Sequence, residues 1–233
     1  VTVGSDTALV EVGDRATTAF AIGPRSAAAG REPRLRAAAA ALGAANDAVA
    51  WVNQVHGHDL VDVGVGDVGC VGAADGLMTV RMAHGLAVWS ADCVPMLMAG
   101  RWTVAAVHAG WRGCAAGIVE RSIERLCDVY REEAADLEIR LGPAIGADHY
   151  RVGTEVVEAL ARRAGTDEGW LQAGSYVDLR AFVRRRVVAC GVPAEQVVEL
   201  GGCTACDPTL ASYRRDGARA GRQWSMIVRR GLT

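Results

Sequence analysis

The sequence predicts one mixed α/β domain with helices packed on a sheet, and three observations lead there. Short apolar runs of strand length alternate with Gly-rich turns between residues 49 and 108. Longer amphipathic stretches of helical length follow them, an alternation that builds helices onto a sheet. The 233 residues show neither an internal repeat nor a linker, and an apolar fraction of 51% supplies one sizeable core.

Taken in chain order, residues 7–12 and 16–22 read as strands. A Gly/Pro/Arg-rich stretch, 23–34, leads to an Ala-rich helix at about 35–42, which Gly43 stops. Strands are expected at 48–55, 86–91 and 103–107 from their apolar runs, and at 59–63 from polar/apolar alternation. The clearest helix spans 114–130, with Ile123, Leu126 and Cys127 on its apolar side. A short strand at 137–141 runs into Gly142-Pro143, helices follow at 152–164 and 179–190, and a last strand covers 222–229.

The net charge of −2 gives no electrostatic case for nucleic acid or an anionic membrane as partner. All 25 basic residues are Arg, so an anion is gripped by guanidinium forks. The seven cysteines are odd in number and scattered. With no signal-like start, they suit a reduced, cytoplasmic setting better than a disulfide framework. No apolar run reaches the roughly 18 residues of a membrane span.

Three segments carry the chemistry: Asn53-Gln54-Val55-His56-Gly57, Ser90-Ala91-Asp92-Cys93-Val94-Pro95 and His108-Ala109-Gly110-Trp111-Arg112-Gly113. Each places a metal ligand where a strand runs out, with Gly or Pro close behind. If the three strands share a direction in one sheet, His56, Cys93 and His108 fall on one edge. Two imidazoles and a thiolate hold a tetrahedral zinc with one position open, the arrangement of catalytic zinc. Asn53, Gln54 and Asp92 stand beside these ligands, as supports for them or as substrate contacts. The turn at 108–113 enters a helix whose N-terminus favours anions, and Arg112 lies in it. Arg214, Arg215 and Arg222 add guanidinium in a later loop. Cys203-Thr204-Ala205-Cys206 has Cys-x-x-Cys spacing, but a zinc knuckle needs a second pair and a thioredoxin-like site needs a βαβ context. It reads as structural or substrate-lining, with a redox role as the lesser alternative. His149 is a further residue able to approach the metal.

These segments, with Ala74-Asp75-Gly76-Leu77, Leu141-Gly142-Pro143-Ala144-Ile145-Gly146, Ser212-Tyr213-Arg214-Arg215-Asp216-Gly217 and Gly221-Arg222, resemble the YfiH family, also called the laccase-domain or polyphenol-oxidoreductase family. The match runs in order from about residue 49 to the end. The resemblance implies a single-domain, three-layer α-β sandwich with a mixed central sheet. It also implies zinc on His56, Cys93 and His108, and a purine-nucleoside activity: phosphorolysis of adenosine, inosine and methylthioadenosine, with deamination of adenosine. In that chemistry His56, Cys93, His108 and Asp92 are the candidate catalytic residues, and Asp92 or His149 the proton carrier. Arg112, Arg214, Arg215, Arg222 and Gln54 are the candidate substrate and phosphate contacts. The expected partners are a purine nucleoside and phosphate, with the chain a monomer or homodimer.

Other members carry a copper polyphenol-oxidase label or are described as peptidoglycan editing factors, so copper, or a hydrolase using Cys93 and His108, are the alternatives. Two features differ from the family pattern. Arg15 is followed by Ala16-Thr17-Thr18 where members show a Gly-Gly-Val-Ser-like segment, and the region to Arg34 is short. His149 stands where the family often has Cys.

Overall fold

A computed structural model describes residues 2–3, 6–12, 15–22, 31–45 and 48–230. Part of the divergent stretch at 13–34 therefore lies outside the described residues. The chain opens with β1 (Thr2–Val3), β2 (Asp6–Val12), β3 (Ala16–Ile22) and α1 (Arg31–Ala41). The central run is β4 (Val49–Asn53), β5 (Leu60–Asp62), β6 (Gly69–Ala73), β7 (Gly76–Thr79), β8 (Gly85–Ser90), β9 (Val94–Ala99) and β10 (Val104–Ala109). Next come α2 (Trp111–Ala116), α3 (Ile118–Tyr130), β11 (Glu138–Leu141) and α4 (Thr154–Ala164). The short pair β12 (Leu171–Gln172) and β13 (Tyr176–Val177) precedes α5 (Leu179–Ala189) and β14 (Val197–Glu199). A single turn, α6 (Tyr213–Asp216), leads to β15 (Gln223–Arg229).

The strands form two large mixed sheets. One has the order β1-β2-β3-β15-β8-β4-β6, and the other β14-β11-β9-β10-β7-β5. In the first, β4 runs parallel to both β8 and β6; in the second, β11 is parallel to β14 and β5 to β7. The mixed α/β class is as expected. The layering is finer than one central sheet, because the sheets stack face to face between two helical layers.

Period-2 alternation explains the stack. Val94, Met96 and Met98 of β9, with Ala105 and Val107 of β10, pack on α2 to α5, while Leu97, Ala99, Val104 and Ala106 face the other sheet. Across that second interface lie Ala50, Val52, Leu86, Val88 and Ile227. On the outer face of the first sheet, Ala87, Trp224, Met226 and Val228 receive Leu35, Ala38 and Ala39 of α1. Strands covered on both faces read as continuous apolar runs, as β9 does.

The expected helix at 114–130 is two helices. α2 starts at Trp111, and Gly117, at φ +90°, ends it and opens α3. That left-handed conformation suits glycine, and a Cβ there would also lie 2.7 Å from the Arg163 guanidinium. At the far end of α3 the buried Glu132 accepts the backbone N–H groups of Arg101, Trp102 and Thr103 at 2.7, 2.6 and 2.8 Å, tying the helix to the β9–β10 turn. Glu132→Ala strands these donors and is expected to cost about 2–4 kcal/mol. Urea unfolding should show a lower midpoint at unchanged slope.

Candidate metal centre

β4 and β8 lie parallel in the seven-stranded sheet, whereas β10 belongs to the six-stranded one. The three ligands therefore converge from two sheets, not from one edge of a single sheet. His56 is three residues past β4, Cys93 sits in the β8–β9 turn, and His108 is within β10, on the face that points between the sheets. Their donor atoms all lie within 4.8 Å of one another. The His56 and His108 rings meet edge to face, with centroids 4.9 Å apart.

The turns that deliver these ligands carry unusual backbone. His56 has φ +61° and Asp92 φ +87°, in the left-handed region that non-glycine residues seldom occupy. Asp75, fully buried just before β7, holds the first turn in place. One carboxylate oxygen accepts the His56 N–H at 3.0 Å, and the other accepts those of Val55 and Gly57 at 3.1 and 2.6 Å. The first oxygen also lies 2.8 Å from His108 Nδ1. An ionised carboxylate only accepts, so the proton is on Nδ1 and Nε2 is left to ligate. Burial raises the Asp75 carboxyl, but His108 and the N–H groups of Gly57 and Val55 outweigh it and hold it below the usual range. Asp75 is thus a positioning residue that ligand spacing did not reveal. The Ala74-Asp75-Gly76-Leu77 segment was its only sequence signal.

Electrostatics favour a thiolate here. Burial pushes the Cys93 thiol up, yet the two imidazoles pull it down to about 6. Burial lowers His108, and the Cys93 thiolate and Asp75 raise it to about 9. The donor set suits a borderline-soft cation, and Gly110 leaves room for one. A Cβ at Gly110 would lie 3.1 Å from Cys93 Sγ and 3.3 Å from His56 Cδ2. Gly113 brings α2 close in a similar way, since its Cβ would stand 2.7 Å from the Gly57 carbonyl oxygen.

The ligands line a cleft of about 860 Å³. Trp51, Trp89, Trp111, Tyr150 and Tyr213 supply aromatic walls that the sequence reading did not single out. Arg112, Arg214 and Arg222 also line it. The Arg112 guanidinium lies over the Trp111 ring at 4.4 Å, and that of Arg214 over Tyr150 at 5.2 Å. Burial, with the Cys93 charge, raises the Tyr150 phenol, so it stays a protonated donor.

Other expected contacts have different tasks. Gln54 borders the cleft, but its amide is spent on the Trp89 backbone: Oε1 accepts the N–H and Nε2 donates to the carbonyl, each at 2.7 Å. Arg215 is not among the cleft-lining residues. Its guanidinium donates to the carbonyls of Thr204, Asp207 and Leu210 at 2.7, 2.9 and 2.6 Å and pairs with Asp216, which makes it a loop brace. Asp92 is in the cleft wall, with one oxygen accepting the Thr204 hydroxyl at 2.6 Å and the other the Arg214 N–H at 2.7 Å. One oxygen therefore holds the Thr204 turn and the other the Arg214 backbone. His149 is turned to another partner: its Nε2 lies 3.1 Å from Cys206 Sγ, and with Cys203 these three form a second cluster of donor atoms within 4.8 Å. The His108 turn does not precede a long helix, because α2 has only six residues.

The sequence matches the family described as multi-copper polyphenol oxidoreductase laccase over residues 25–230. It is 36% identical over 192 residues to a purine nucleoside phosphorylase of Mycobacterium tuberculosis, spanning 81% of this chain and 75% of that protein. It is 34% identical over 172 residues to an adenosine deaminase, RL5, of an unknown prokaryotic organism, spanning 67% of this chain and 62% of the relative. The fold superimposes on the crystal structure of a Bacillus licheniformis hypothetical protein, YfiH, with a TM-score of 0.83 at 25% identity, over 91% of this chain and 92% of the other. The family match over residues 25–230 and the identity to these relatives show that the chain belongs to the laccase-domain family, whose members include proteins named YfiH.

Proposed function

We propose that the chain is a zinc-dependent purine nucleoside enzyme that phosphorolyses adenosine, inosine and methylthioadenosine and deaminates adenosine. The observation that carries this reading is a His/Cys/His donor set in a cleft with aromatic walls and three arginines. The names of the relatives, a purine nucleoside phosphorylase and an adenosine deaminase, agree with it. His56, Cys93 and His108 would hold the zinc, which when bound supplies Lewis acidity within the cleft.

The chain's own residues supply recognition and orientation. The indole and phenol rings of the walls present flat apolar faces to a purine. Arg112, Arg214 and Arg222 offer guanidinium groups to phosphate; Arg112 and Arg214 lie over rings that fix their direction. In phosphorolysis, a phosphate oxygen bonds to C1′ while the C1′–N9 bond breaks, and the purine leaves with the electron pair and takes up a proton. Holding the anion and the nucleoside in line lowers the orientational cost of that displacement. The protonated Tyr150 hydroxyl is a hydrogen-bond donor available to the leaving base. In deamination, water replaces the C6 amino group and ammonia departs. Asp92 serves by positioning Arg214.

One geometric fact favours a second reading. Cys93 beside His108, with Asp75 on the far ring nitrogen, also has the layout of a thiol nucleophile, its base and the carboxylate that orients it. That arrangement would serve a hydrolase such as a peptidoglycan-precursor editing enzyme. A copper polyphenol oxidase fits less well, because a chain of five histidines has too few for a trinuclear cluster beside this site.

Incubation of the purified protein with adenosine, followed by chromatography, separates these readings. Adenine appearing only with phosphate, and inosine appearing without it, are the expected products. Chelation should abolish both and added zinc restore them. Full activity in metal-free protein would favour the thiol mechanism instead.

A further inference from the structure

The second donor cluster lies in chain that the first site does not use as ligand. His149 closes a 3-10 turn at Ala147–His149, and Cys203 and Cys206 bracket a tight turn more than fifty residues later. The two segments are laced together: the Thr204 N–H donates to the Ala144 carbonyl at 3.0 Å, and the Gly146 N–H to Cys203 Sγ at 3.1 Å. The Gly146 N–H on that sulfur favours a thiolate, the form in which cysteine binds metal. Gly146 permits the approach, since a Cβ there would stand 3.2 Å from both Cβ and Sγ of Cys203.

We propose that His149, Cys203 and Cys206 form a second cation site, selective for zinc or a similarly soft divalent ion. Two thiolates and an imidazole are the ligand types such ions select, and their donor atoms already lie within 4.8 Å of one another. A simple Cys203–Cys206 disulfide would not call for His149, whose Nε2 lies 3.1 Å from Cys206 Sγ. Cys206 and His149 are exposed, so the fourth position faces solvent.

The site is a clamp between two loops that shape the cleft. His149 directly precedes Tyr150, which lines the cleft and lies under Arg214. Cys203 directly precedes Thr204, whose hydroxyl donates to Asp92 at 2.6 Å, and Asp92 adjoins Cys93. A cation bridging the loops would therefore restrain Tyr150 and Asp92 together, without touching the first site's ligands.

The test is cobalt(II) or zinc titration of the reduced full chain, with bound metal counted after gel filtration. The parent is expected to hold two equivalents. Cys203→Ser/Cys206→Ser should hold one, and so should Cys93→Ala/His108→Ala. With cobalt, the latter variant should show tetrahedral bands and charge transfer from two thiolates, and His149→Ala should weaken that signal. The proposal is overturned if Cys93→Ala/His108→Ala holds no metal while circular dichroism shows it folded. It is also overturned if the reduced chain reoxidises in zinc to a form two hydrogens lighter that binds at the first site alone. A parent with one equivalent that survives Cys93→Ala/His108→Ala would instead support this site and overturn zinc at the first.

Discussion

Cys93→Ala and His108→Ala are each expected to remove the metal of the first site and to reduce nucleoside turnover to below about one-thousandth of the parent. Each substitution leaves two protein ligands, too few for a closed grip on zinc. Cys93 contributes the sole thiolate of the set, and its charge is what makes the site hospitable to a dication. His108 contributes a ring whose proton and direction Asp75 has already fixed. Initial rates with adenosine and with inosine, alongside metal analysis, measure both effects. Circular dichroism checks that the fold persists, and His56→Ala provides a more exposed ligand whose loss perturbs packing least. Full turnover in either Cys93→Ala or His108→Ala would sink the proposed mechanism.

Asp75→Asn is expected to lower zinc affinity about 10–100-fold, although Asp75 is not a ligand. It is also expected to destabilise the metal-free protein by about 2–4 kcal/mol. The carboxylate accepts four hydrogen-bond partners: three backbone N–H groups of residues 55–57 and His108 Nδ1. An amide has one acceptor oxygen, and its NH2 group would face donors. The His56 turn, at φ +61°, then loses the carboxylate that holds its backbone. The pH dependence gives an independent readout. The Asp75 carboxyl is held below its ordinary 3.8, so its stabilisation is complete above that value and is lost as pH falls through the lowered folded value. The parent should therefore lose stability below about pH 4 more steeply than Asp75→Asn. Competition with a chromogenic chelator measures the affinity, and urea unfolding at a series of pH values measures the stability. Parent-like zinc affinity in a folded Asp75→Asn protein would remove Asp75 from its positioning role.

Much of the fold and of the candidate site is legible in the sequence. Apolar runs of strand length found β4, β8, β10 and β15, because strands covered on both faces cannot hide their composition. The helices at 154–164 and 179–189 showed themselves by length and amphipathic spacing. β9 is just as apolar, but Val94–Ala99 follows the Cys93 turn at once, so its run merges with the motif instead of standing out as a strand. The break at Gly117 escaped because one glycine inside an apolar-periodic stretch is compatible with a continuous helix. Gln54 and Arg215 read as substrate contacts since their residue types suit that task. Only the folded chain shows that the Trp89 backbone and the carbonyls of the 204–210 loop claim them.

The order of motifs and the residue types at 56, 93 and 108 were enough to establish the ligand triad as a candidate and the family as an expectation, because metal chemistry depends on donor identity and strand ends are read locally. Which strands share a sheet, that Asp75 steers both His56 and His108, and that His149 turns from the first site toward Cys203 and Cys206 were decided by the tertiary structure alone. Each of these is a contact between segments far apart in sequence, set by how two twisted sheets stack and where their loops meet, and no local pattern of side chains encodes it.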